Sequence, residues 1–157
     1  NNYGNVTDTQ DIGNRRCHQG ATMTPKELEE LMSDCAENAV KTAKDEFDVT
    51  LDFSKQSIAN VDDLLLSFID KYHDQALENE AVFTLCNIFG AYTGETMRRF
   101  VDNSQWIYDQ SNPNAPYVLL GVGENTYAFA GICYERLVNN SETSVQEYFT
   151  KALANHQ

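Results

Sequence analysis

The three histidines of this 157-residue chain, His18, His73 and His156, are the side chains best suited to holding a metal or moving a proton near neutral pH, and their spacing gathers none of them together. Asp70 and His73 stand three residues apart, so on one helix they share a face and could supply two metal ligands. A site needs a third or fourth from elsewhere. The sequence contains no HExxH pair and no EF-hand loop. Gly121-Val122-Gly123-Glu124-Asn125-Thr126 lacks the third glycine and the Lys-Ser/Thr ending of a phosphate cradle, so it reads as a turn between strands. Adjacent carboxylates such as Asp62-Asp63 and Glu29-Glu30 point to different sides of a helix and make poor acid-base pairs. No catalytic residue, metal or cofactor is expected, and a non-enzymatic role is favoured.

The thiols leave two readings open. Cys17, Cys35, Cys86 and Cys133 are even in number and too widely spread for a CxxC zinc or redox motif. Two disulfides with three connectivities are compatible with them, as are reduced core thiols at Cys35, Cys86 and Cys133, which all lie in apolar patterns. The first residue is Asn rather than Met. A cleaved export signal accounts for that, so an exported or periplasmic setting is expected, with a cytoplasmic one as the alternative.

Residues 1–23 carry no apolar period and read as an N-terminal arm, leaving 24–157 as one domain. Thr24-Pro25-Lys26-Glu27 combines an N-cap, a first-turn proline and a capping-box glutamate. A helix follows, with Leu28, Leu31, Met32, Cys35, Ala39 and Ala43 on its apolar side. Val49-Thr50-Leu51-Asp52-Phe53 alternates apolar and polar residues and predicts a short strand, with Ser54 capping the next helix. In that helix Ile58, Val61, Leu65, Phe68 and Tyr72 form the stripe. Leu66 falls outside it, among Asp62, Asp70 and His73. Residues 80–101 are apolar around most of a third, central helix, whose Gly90 and Gly94 are explained by close packing of another element. Gln105 to Tyr108, Tyr117 to Gly121 and Thr126 to Phe129 predict strands, and Ile132 to Val138 predicts a helix. Ser144 with Glu147 opens a last one. The expected architecture is α+β, with helices packed on one face of a small antiparallel sheet of three or four strands.

Charge says more about partners. The 24 acidic residues face 11 basic ones, giving a formal net charge of −13. Fifteen of the acids and five of the bases lie within residues 25–80. A field of this sign repels nucleic acid and anionic membrane surfaces, and no apolar run is long enough for a membrane span. A basic protein partner is the reading that uses the charge, with Asp62, Asp63, Leu66 and Asp70 as an acidic rim around an apolar anchor. Solubility is the plainer explanation.

The most specific string is Gly90-Ala91-Tyr92-Thr93-Gly94-Glu95, followed ten residues later by Gln105-Trp106, with Leu51-Asp52-Phe53-Ser54 leading into a helix. Over residues 50–153 the chain resembles a family of small uncharacterised bacterial α+β domains with a GAYxGE-like helix and a Trp-bearing strand. The resemblance implies no catalytic residues. Asn103-Ser104 stands where that family often carries a glycine before the Trp. Tyr92, Glu95 and Trp106 form the alternative site, a small-ligand pocket or an unfamiliar active site, although a Glu95–Arg99 pair and core aromatics account for the same residues. The function expected is a binding protein, with an immunity-type inhibitor of a basic partner as its most specific form. Assembly state is left open.

Overall fold

A computed structural model describes residues 23–72, 79–110, 117–139 and 142–157. Along the chain these hold helices α1 (Pro25–Phe47), α2 (Ser57–Tyr72) and α3 (Asn79–Arg98), then strands β1 (Ser104–Asp109), β2 (Tyr117–Val122) and β3 (Asn125–Tyr127), then helices α4 (Phe129–Val138) and α5 (Val145–Ala154). The fold is α+β. The expected arm lies outside the described residues apart from Met23, which packs against the core.

Helix α1 starts as its residues dictate. The Thr24 hydroxyl accepts a hydrogen bond from the Glu27 amide, and the Glu27 carboxylate accepts one from the Thr24 amide, both at 3.1 Å. This pair satisfies two of the amides that a helix start leaves without intrahelical partners. At the far end Asp48 takes the left-handed conformation (φ 55°), and the amide of Val49 reaches back to the Ala43 carbonyl.

The strand expected over Val49 to Phe53 is not formed. Its backbone lies between left-handed residues at Asp48 and Phe53 (φ 61°), and the Phe53 amide donates to the Tyr92 hydroxyl at 2.8 Å rather than to a neighbouring strand. Alternation alone could not reveal this, because a half-buried extended segment shows the same pattern when a side chain supplies its hydrogen bonds.

The sheet runs in the order β1-β2-β3, antiparallel throughout. Trp106, Leu120 and Tyr127 stand in register across the three strands, and all are buried. The alternate positions Gln105 and Thr126 face outward and are exposed, with Gly121 between them under Ile107. Helices therefore cover one face, as period-two alternation requires.

Helix α3 is the centre. It packs against α1 on one side and α4 on another, and buries Leu85, Ile88, Phe89, Tyr92 and Met97 completely. Its buried threonines, Thr84, Thr93 and Thr96, return their hydroxyl protons to the carbonyls of Glu80, Phe89 and Tyr92 one turn back, which satisfies all three hydroxyl donors. A Cβ added at Gly90 would lie 2.6 Å from the Ala130 amide nitrogen and Cα, and one at Gly94 would enter the Trp106 indole. The two glycines admit α4 and β1 respectively.

Gly90→Ala should therefore destabilise the protein, since the helix-propensity gain of about 1 kcal/mol is outweighed by an overpacking cost of about 1–3 kcal/mol against backbone that has little room to retreat. Urea unfolding monitored by circular dichroism reads the sign. An unchanged or higher midpoint would show that α4 moves aside.

Candidate functional site

The alternative pocket residues Tyr92, Glu95 and Trp106 all cluster on or against α3, but their polar atoms are committed to one another and to neighbouring loops. The Trp106 indole N–H donates to Glu95 Oε2 at 2.7 Å. The same oxygen accepts from Arg98 Nη1 at 3.0 Å, and Arg98 grips Glu29 of α1 with both terminal nitrogens, at 2.6 and 3.0 Å. Arg98 Nε donates to the Ser104 hydroxyl. One guanidinium thus ties α1, α3 and β1. Burial acts against its charge, yet the hydrogen bonds and proximity of Glu29 and Glu95 prevail and hold its pKa above the ordinary arginine value. Glu95 does not make the expected ion pair with Arg99. Arg99 instead donates to the Glu95 backbone carbonyl and lays its guanidinium over the Phe53 ring, 3.8 Å from the centroid.

Tyr92 points to the other side, into the 53–57 turn. The single Ser57 hydroxyl proton goes to the Ser54 carbonyl (2.6 Å), so the Tyr92 hydroxyl donates to Ser57 Oγ (2.6 Å) while accepting from the Phe53 amide. Burial raises the Tyr92 pKa against the opposing pull of these hydrogen bonds, and the phenol stays protonated at neutral pH. Phe53 is held between Tyr92, 4.7 Å away by ring centroids, and Arg99, which explains how an aromatic residue keeps a positive φ. Beside it Lys55 lies over the half-exposed Phe100 ring. The arrangement fastens a loop to the end of α3.

The acidic rim is divided by the fold. Asp63 is exposed and Leu66 half-buried, three residues apart on α2. Asp70 lies one turn beyond Leu66, and its side chain is outside the described residues, as is His73. Asp62 is not a surface residue. It is buried, and its two carboxylate oxygens accept from the amides of Val145 (2.8 Å) and Gln146 (2.9 Å), with Arg136 of α4 at 3.6 Å. The carboxylate caps the N-terminus of α5 from another helix, beside Ser144, whose hydroxyl accepts from the Glu147 amide. A signal for this was available: Asp62 lies four residues after Ile58 and three before Leu65, in the same stripe as the core residues.

The larger exposed acidic feature is on α1. Glu27, Glu30, Asp34 and Glu37 recur at three- and four-residue spacing on its outer side, and all are exposed. Farther along, Lys41 and Lys44 pair with Asp45 and Asp48. Among the described residues, Glu30, Asp34 and Glu37 make no ion pair. From Glu27 to Glu37 the stripe spans about 15 Å at the helical rise.

Cys35, Cys86 and Cys133 are buried and are not joined in a disulfide, and Cys17 lies outside the described residues. Burial pushes the Cys86 thiol up to about 12 and raises Cys133 well above its ordinary value. Among the described residues no group of three or more His, Cys, Asp or Glu side chains could hold a metal ion, and no helix is long and apolar enough to cross a membrane. His156 is used structurally: its Nε2 meets the Tyr127 hydroxyl at 2.7 Å, and Asn155 Nδ2 donates to that hydroxyl.

Asp62→Ala should lower stability by about 2–4 kcal/mol, combining loss of a cap with a cation left beside an emptied site, whereas Asp62→Asn keeps an acceptor and should lose less. Denaturant midpoints of the two variants rank them, and equal losses would contradict the capping role. Trp106 is the chain's one tryptophan, so its fluorescence reports on this region alone. Glu95→Ala should shift its emission to longer wavelength and increase acrylamide quenching. An unchanged spectrum would mean that Glu95 does not hold the indole.

Comparison of the chain with family models, with curated proteins and with solved structures finds no match in any of the three.

Proposed function

We propose that the chain is a non-enzymatic binding protein that recognises a basic protein surface, with an immunity-type inhibitor as the most specific form of that reading. The observation that carries it is the α1 stripe, where Glu30, Asp34 and Glu37 are exposed and, among the described residues, make no ion pair, with Lys26 and Lys41 one turn to either side. Aligned like charges on a helix oppose folding slightly, and a partner supplying Lys and Arg turns that repulsion into attraction and speeds encounter. Asp63 and Leu66 offer a second, smaller contact with an apolar centre. Asp62 leaves the proposed contact because it is spent on α5.

The pocket reading is the weaker one. A ligand-binding or catalytic constellation needs polar groups that converge on a space, and here Trp106 and Glu95 bond each other while the Tyr92 hydroxyl, on the other side, is taken up by Ser57 and the Phe53 amide. Membership of the GAYxGE-like family remains part of the proposal. Asn103-Ser104 departs from it where that family often carries a glycine, and Asn103 takes a left-handed φ of 59° there, a conformation that asparagine tolerates. An exported or periplasmic setting is proposed with it, since small inhibitors of secreted toxins or hydrolases act there.

The test is affinity capture from the native host's extract at low and high salt, with wild-type protein, the Glu30→Lys/Asp34→Lys/Glu37→Lys variant and Asp63→Lys run in parallel. The wild type should retain a basic protein at low salt, and the triple variant should lose it, with association of the purified pair slowed about tenfold or more. Identical profiles for all three proteins would overturn the assignment of the α1 stripe.

A further inference from the structure

We infer that Cys86 and Cys133 are the pair that forms a disulfide, joining α3 to α4, when the chain folds in the presence of a low-molecular-weight disulfide such as oxidised glutathione. The sequence leaves three pairings open. The fold singles out this one, because contacts between α3 and α4 bracket the two thiols. On one side, the α3 backbone at Gly90 touches the Ala130 backbone so closely that a Cβ there would sit 2.6 Å from the Ala130 nitrogen and Cα. On the other, the rings of Phe83 and Tyr134 stack at 5.4 Å between centroids, with an interplanar angle of 9°. Cys86 lies between Phe83 and Gly90 on α3, and Cys133 lies between Ala130 and Tyr134 on α4. Both are buried, at 2% and 0% exposure, at positions flanked by these two contacts. Helices whose axes are about 8–10 Å apart, with Cα atoms about 2.3 Å from each axis, bring facing Cα atoms into reach of the separation of about 4.4–6.8 Å that a disulfide spans, and a glycine contact beside the pair holds the two helices at the close end of that spacing.

A second observation agrees. Among the causes that raise the Cys133 pKa is the charge Cys86 would carry as a thiolate, so the two sulfurs are within electrostatic reach of each other. Cys35, on α1, does not figure among those causes.

The chemistry is two successive exchanges. One thiolate attacks glutathione disulfide, breaking its S–S bond and releasing one glutathione thiolate, which takes up a proton. The second cysteine thiolate attacks the resulting mixed disulfide, forms the Cys86–Cys133 bond and releases the second glutathione. The two protein thiols lose two protons and two electrons, and glutathione disulfide gains them. Thiolate is the attacking species, and burial suppresses it at both positions in the folded protein. Closure therefore belongs to the folding chain, in which thiols titrate near 8.5 and are accessible.

The protein is unfolded and reduced, then refolded either in a mixture of oxidised and reduced glutathione or in dithiothreitol. Remaining thiols are alkylated, and the digest is mapped by mass spectrometry. The glutathione arm should yield a species lighter by two hydrogens, with the Cys86 and Cys133 peptides linked and Cys35 alkylated. Its melting temperature should exceed that of the reduced arm by about 5–10 °C. Cys35→Ala should retain the link, while Cys86→Ala and Cys133→Ala should abolish it, with circular dichroism in the reduced arm confirming that each variant folds. Recovery of Cys86 and Cys133 both alkylated from folded wild-type protein in the glutathione arm, or of Cys86 joined to Cys17 or Cys35, overturns the inference.

Discussion

The contact that everything else presupposes is the one between the α3 backbone and its neighbours at Gly90 and Gly94. With hydrogen atoms in place of side chains there, α4 rests directly on the α3 main chain and the outer edge of the Trp106 ring, at Cη2, Cζ2 and Cζ3, meets it at Gly94. From that approach follow the burial of Trp106 within reach of Glu95, the position of Arg98 against Glu29, and the seating of Tyr92 under the 53–57 turn. Interiors pack at close to crystalline density, so one methyl at either glycine would have to displace an element rather than fill a gap.

The polar groups inside this core serve connection. Arg98 links three elements, Asp62 links three more, and Tyr92 joins α3 to the turn before α2. Each occupies a site where burying a polar atom would be costly without partners, and each has partners drawn from distant parts of the chain. Such networks specify one arrangement of the helices over others that would bury the same apolar area. The exposed carboxylates Glu30, Asp34 and Glu37 on the outer face of α1 take no part in these networks.

Most helices were legible, because a Thr24 capping box, a Ser144 cap and three-to-four spacing of apolar residues are local signals that the fold keeps. The role of the two glycines was legible too, since their helix penalty asks for a close neighbour. What could not be read were arrangements set by contacts far apart in sequence. Val49 to Phe53 looked like a strand because nothing local shows that a tyrosine 39 residues later receives its amide. Arg98 reached Glu29 across 69 residues and Arg99 took an aromatic face by three-dimensional position, whereas the Arg98–Glu95 contact is an ordinary three-residue helical offset. Asp62 was assigned to the surface because its type outweighed its register, although its spacing from Ile58 and Leu65 placed it on the core side.

The Asp62 carboxylate also carries a temporal implication. It precedes by 83 residues the amide it receives at Val145. On a ribosome, α2 emerges long before α5 exists, so an acid destined for the interior must wait in water while the 83 residues up to its partner are made. Closure of this joint is thereby deferred until α5 has emerged. A nascent chain stopped short of α5 would hold a solvated anion where the folded domain holds a closed joint.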